Sequence, residues 1–170
     1  MPATVSVNMR TVVHAKSNGI CMAFPDVCKT PAPPAPFVPI PYPNIAMSKD
    51  TSEGSTTVKC DGNPVMLEGS KFSTSTGDEA GTAGGGMVSN TTKGKAEFKM
   101  FSMDVKFDGK KVPRLLDIMV CNQLSSPNTP PFPLMQPPSI VVMVPAPETS
   151  TPPSLTKFDM PDGEQKKVGG

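Results

Sequence analysis

The sequence predicts a mainly β protein of short strands and hairpins with irregular, proline-rich loops. Three observations lead there. Proline supplies 22 of 170 residues, and each one removes a backbone donor and breaks a helix interior. An Asp-Gly pair recurs in two similar strings, Val58-Lys59-Cys60-Asp61-Gly62-Asn63-Pro64-Val65 and Val105-Lys106-Phe107-Asp108-Gly109-Lys110-Lys111-Val112. Asp-Gly between β-branched residues is a strong hairpin signal, because the tight turn needs positive φ at its centre. Finally, Val5, Val7 and Met9 alternate with polar neighbours, the period of a half-buried strand.

Taken in order, Val5 to Val13 reads as a strand, Ser17-Asn18-Gly19 as a turn, and Ile20 to Phe24 as a second short strand. Residues 30 to 43, TPAPPAPFVPIPYP, are too rich in proline for a helix or a central strand. They predict an extended, polyproline-like arm along the body or an edge. The two Asp-Gly strings predict a pair of hairpins and an approximate internal symmetry, though two copies fall short of a solenoid. Residues 70 to 87 form a small-residue loop. Lys95 to Val105, with Ala96, Phe98 and Met100 in rough alternation, predicts a strand. Arg114 to Val120 suits either helix or strand. Proline returns after Leu124, so residues 1–123 read as the folded domain and 124–170 as a proline-rich C-terminal extension. Within it Ile140 to Val144 suggests one strand, Glu148 to Pro153 a linker, and GEQKKVGG a solvated end.

Composition bounds the function. Hydrophobic residues make up 36% of the chain, below the roughly 45–50% of an average globular domain, so the core is small. Net charge is +1 and no basic stripe with interleaved aromatics occurs, which argues against nucleic acid as a partner. The opening residues lack the basic and apolar regions of a signal peptide. The longest apolar run is too short to span a bilayer. The expectation is a soluble protein that starts in the cytoplasm and leaves it, if at all, by a route other than a signal peptide.

Few motifs carry chemistry. The glycines at 77–86 lack the Lys and following helix of a phosphate-binding loop, and read as a tight structural loop. The carboxylates at 61, 78, 79 and 108 show no acid/base pairing, and with one His and no G-x-S-x-G elbow a serine triad is unsupported. The best constellation is His14 with Cys28, Cys60 and Cys121. Thiolate and imidazole are zinc ligands, and an ion would staple four separate segments of a protein with a modest core. The spacing is not a zinc-finger pattern, and buried free thiols beside an ordinary histidine remain the alternative.

His14, then Phe24-Pro25-Asp26-Val27-Cys28-Lys29-Thr30-Pro31, Pro39-Ile40-Pro41-Tyr42-Pro43-Asn44, residues 75–86 (STGDEAGTAGGG), Lys93-Gly94-Lys95-Ala96, and Val112 to Asn122 with Arg114 and Asp117 together resemble the PAAR-like (DUF4150, or Tox-PAAR-like) family over about residues 5 to 123. The resemblance implies a compact, cone-like β domain that caps the trimeric VgrG spike of a type VI or related contractile secretion system. Such a tip sharpens the spike for envelope puncture and helps recruit or carry effectors. It implies one tip per trimer, export on the spike to the extracellular space or a target cell, no stable membrane insertion, and a structural zinc held by His14, Cys28, Cys121 and either Cys60 or Cys21. Many members of the family carry a toxin fused after the domain; here about 47 proline-rich residues follow residue 123, too few for an ordinary catalytic domain, so the expectation is a protein that is not an enzyme. Two other readings stay open: an effector-loading adaptor acting through residues 124–170, and a small secreted hydrolase using His14 with a cysteine nucleophile.

Overall fold

The computed structural model describes residues 3 to 137. The expected strand at Ile140 to Val144, the linker and the solvated end lie outside the described residues. The mainly β expectation holds. Among the described residues, helix is confined to a single 3-10 turn at Ser48–Asp50. The strands are β1 (Ser6–Val7), β2 (Arg10–Thr11), β3 (Ile20–Ala32), β4 (Ala35–Met47), β5 (Thr51–Ser52), β6 (Lys59–Cys60), β7 (Asn63–Pro64), β8 (Lys71–Phe72), β9 (Ser75–Thr76), β10 (Gly85–Gly86), β11 (Lys95–Phe98), β12 (Lys106–Phe107), β13 (Lys110–Lys111), β14 (Ile118–Gln123) and β15 (Phe132–Pro133). They form a four-stranded sheet in the order β10-β3-β4-β9, a five-stranded sheet in the order β15-β14-β11-β8-β5, and three two-stranded hairpins.

Both Asp-Gly strings fold as read. β6 pairs with β7 and β12 with β13. Asp61 and Gly62 have φ of 51° and 76°, and Asp108 and Gly109 have 51° and 75°, the double positive φ of a type I′ turn. The first predicted strand is instead a hairpin. Asn8 and Met9 take positive φ, β1 and β2 pair across them, and Met9 stands 99% exposed.

The proline-rich arm is extended but is a true strand. β4 pairs along β3 through thirteen residues of each. Pro39, Pro41 and Pro43 recur at every second position, and amides of alternate residues in a strand point to the same edge. The missing donors therefore all face away from β3, where they remove nothing from the ladder. Period-two proline is thus a signature of a strand with one free edge. The chain turns between β3 and β4 at a cis Pro33-Pro34 peptide, and Phe24-Pro25 is also cis.

Two small cores result. One joins Cys21, Ala23 and Ala46 of the first sheet to Phe72, Ala96, Phe98, Met119 and Cys121 of the second, with Val13, Met66 and Leu134. Phe72 and Phe98 meet edge to face, 6.1 Å between centroids. The other holds Val7, Val12, Cys60, Val65, Leu67 and Val112 beneath the hairpins. Residues 132–135, which the sequence reading assigned to the extension, take part in this packing. Phe132 and Pro133 pair with Met119 and Ile118, and Leu134 is fully buried. Leu134→Ala should therefore cost about 2–5 kcal/mol in urea unfolding, whereas Leu124→Ala, at a side chain 61% exposed, should stay within about 0.5 kcal/mol of the parent.

Candidate functional site

Strand β3 changes its inward face midway. Cys21 and Ala23 point into the apolar core, yet further along Asp26 and Cys28 are the buried residues. The pairing shows why. Ala23 sits opposite Asn44 and Asp26 opposite Tyr42, so Phe24 and Pro25 together oppose the single Pro43. This β-bulge adds one residue and flips the parity of the strand. β14 does the same. Lys95 pairs with Gln123 and Glu97 with Val120, so Cys121 and Asn122 oppose Ala96 alone, and Asn122 takes positive φ. Cys121 stays in the apolar core while Asn122 reaches the polar side.

The two bulges converge on a buried polar hub. Asp26, Cys28, Asn44, Asp78 and Asn122 are all 0% exposed. The Asp26 carboxylate accepts hydrogen bonds from Nδ2 of Asn44 (2.7 Å), Nδ2 of Asn122 (3.1 Å) and Nδ2 of Asn128. Asn122 also donates to the Thr91 carbonyl at 2.9 Å and accepts from the Gly94 amide at 2.9 Å. Asn128 donates to the Val27 carbonyl and accepts from the Val88 amide. Asp78 accepts from the Lys93 amide at 3.0 and 3.2 Å. The glycines between Asp78 and Met87 let this loop close on the hub. At Gly81 an added Cβ would lie 2.5 Å from the Cys28 Cβ, so a side chain there would push the loop off.

The electrostatics follow from burial. Asp78 is pushed up to about 6 by desolvation and by the neighbouring Asp26 carboxyl. Cys28 is pushed up to about 12 by burial and by both carboxylates. It is a thiol, with its S–H toward Asp26 (3.6 Å) and Asp78 (3.9 Å), and not an activated nucleophile.

The four ligands expected for zinc do not come together. His14 is buried with both ring nitrogens engaged. Nδ1 accepts from the Lys16 amide at 3.2 Å, and Nε2 lies 3.1 Å from Asp61 Oδ2. Cys60 belongs to the second core, its thiol pushed up by desolvation and by Asp61. Cys121 contacts Cys21. Among the described residues, the donor atoms that do gather within 4.8 Å of one another are those of Asp26, Cys28 and Asp78. That set offers three donors where a structural zinc takes four, and His14, Cys60 and Cys121 are not among them, so it is not the expected zinc site. The expected Cys/His nucleophile pair is likewise not assembled, since His14 faces Asp61 and Cys28 faces carboxylates. Sequence reasoning missed Asp26, Asn44, Asp78, Asn122 and Asn128 as a group. All but Asn128 lie inside the strings that carried the family resemblance. Arg114 and Asp117, from the same strings, form a buried anchor. Asp117 accepts from Arg114 Nε at 3.0 Å and from Arg10 at 3.2 Å, tying β2 to the start of β14.

A family model described as the toxin PAAR-like domain matches residues 19–130. The chain belongs to this family. It is also 46% identical over 134 residues to a protein of Pseudomonas aeruginosa named DNase toxin Tse7, a match covering 75% of this chain and 35% of that protein. The chain therefore spans about a third of the relative's length. No solved structure matches. The relative overturns one expectation outright: "not an enzyme" does not stand for a chain this similar to a protein named a DNase toxin. It likewise removes the ground for ruling out nucleic acid as a partner class. Among the described residues no helix is long and apolar enough to cross a membrane.

The hub gives a signed pH dependence. Asp78 binds its proton more tightly folded than unfolded, so its contribution is fully present below about pH 4 and is lost as pH rises through about 6. Asp104 and Asp108, held low chiefly by Asn8 and Ser55 respectively, act in the opposite sense, so the test is a difference. Relative to the parent, Asp78→Asn should gain stability by about 1–3 kcal/mol between pH 4 and 7, measured by urea unfolding at several pH values. Elemental analysis tests the metal placement: zinc retained at one ion per chain and released by His14→Ala would overturn it.

Proposed function

We propose that this domain seats a DNase-type toxin on the tip of a contractile secretion spike, so that the toxin is carried out with the spike. The observation that carries this reading is the 46% identity to a DNase toxin across three quarters of the chain, within a family described as toxin PAAR-like. The resemblance to spike-tip proteins supplies the partner, a trimeric VgrG-like protein bound one tip to three subunits. Export follows from that assembly, with no leader required.

The surface supports docking. Alternation with the inward Cys21 and Ala23 places Ile20, Met22 and Phe24 on the outer face of β3, 38%, 61% and 53% exposed. A row of large apolar side chains along one strand is more than scattered surface exposure and suits a protein partner. Co-expression with the cognate spike protein tests this. Light scattering on the purified complex should give one copy per trimer, and Met22→Asp with Phe24→Asp should abolish co-purification while leaving the fold intact. Three copies per trimer, or undiminished binding by the double variant, would contradict the reading.

A further inference from the structure

Of the four cysteines, two stand in direct contact. Sγ of Cys21 on β3 and Sγ of Cys121 on β14 are 3.6 Å apart, and both residues are fully buried. Cys28 is turned to its carboxylates and Cys60 lies in the other core. We propose that Cys21 and Cys121 are a closable thiol pair, forming a disulfide between the two larger sheets when the protein meets a two-electron thiol oxidant.

The geometry favours closure within the native fold. A disulfide needs sulfurs about 2.05 Å apart, so the pair must approach by about 1.5 Å, within the range of side-chain rotation. Each cysteine is faced by an alanine: Cys21 pairs with Ala46, and Cys121 lies in the bulge opposite Ala96. The crowding that a larger residue would impose is therefore absent. The contact is also polarised. The Cys121 S–H donates to Cys21 and pulls the Cys21 pKa below its ordinary value, while the same bond and burial push Cys121 up. Cys21 is thus the first nucleophile and Cys121 the resolving thiol.

With oxidised glutathione as the oxidant, the Cys21 thiolate attacks the glutathione disulfide, forming a mixed disulfide and expelling one glutathione thiolate. Deprotonated Cys121 then attacks the Cys21 sulfur and expels the second. The protein gives up two electrons and two protons, and oxidised glutathione leaves as two glutathione thiols. The inference stands on the sulfur contact. Only its use, as a lock that closes once an exported protein leaves a reducing cytoplasm, leans on the delivery reading.

The test is made on the full chain in isolation, so its failure is distinguishable from failure of spike binding. Because both sulfurs are buried, the protein is unfolded and refolded in a glutathione redox buffer, which removes the problem of access. It is then alkylated under denaturing conditions and weighed intact. The expected result is two alkylated cysteines instead of four. Digestion by Lys-C with Asp-N, which cuts before Asp26 and so parts Cys21 from Cys28, should link the Cys21 peptide to the Cys121 peptide. The double variant Cys28→Ser with Cys60→Ser should behave alike, and mapping on the parent decides if that variant does not fold. The bridge closes over 100 residues, so the oxidised form should melt higher by on the order of 10 °C, reversed by dithiothreitol. Four alkylated cysteines after refolding, a bridge through Cys28 or Cys60, or an unchanged or lower Tm would overturn the proposal.

Discussion

The Asp26 carboxylate receives the side-chain amides of Asn44, Asn122 and Asn128, the first from β4 and the other two from β14 and the loop that follows it. A buried carboxylate with three charge-assisted hydrogen bonds is strongly held, and it is costly to leave any of the donors unmade. Around this contact the rest of the domain arranges itself. Asn122 holds the backbone at Thr91 and Gly94, Asn128 holds Val27 and Val88, and Asp78 closes the glycine loop over Cys28. Few apolar residues are available to do this work by packing, and the chain adds a polar knot to its two small cores.

The two β-bulges are what make the knot possible. A regular strand keeps one parity inward along its length, which suits an apolar core or a polar cluster but not one after the other. The extra residue at Phe24-Pro25 turns β3 from Cys21 and Ala23 to Asp26 and Cys28, and the extra residue in β14 sends Cys121 and Asn122 to different environments. Before the shift, ordinary alternation keeps Met22 and Phe24 facing outward opposite the inward Cys21 and Ala23.

Much of this was legible in the sequence, and the rest failed for physical reasons. The Asp-Gly turns were readable because I′ geometry places a local demand on two residues. The lack of helix was readable from proline. The strand character of residues 35–47 was missed because proline was weighed by number and not by its period of two. Asn8-Met9 carried no glycine to announce a turn. The expected metal ligands stand apart in the fold because composition shows which side chains can bind an ion, not which ones a bulge brings together. Asp26 and Asp78 are 52 positions apart in sequence and meet only through tertiary pairing. The expectation of a non-enzyme fell to a comparison outside the chain, with a protein named a DNase toxin.

The Asp26 hub holds the two larger sheets and the glycine loop together. Equilibrium urea unfolding of Asp26→Ala tests it most directly. With one N–H donor on each of Asn44, Asn122 and Asn128 deprived of its carboxylate acceptor, the variant should lose at least about 3 kcal/mol. A variant within about 0.5 kcal/mol of the parent, the range of an ordinary surface change, would contradict it.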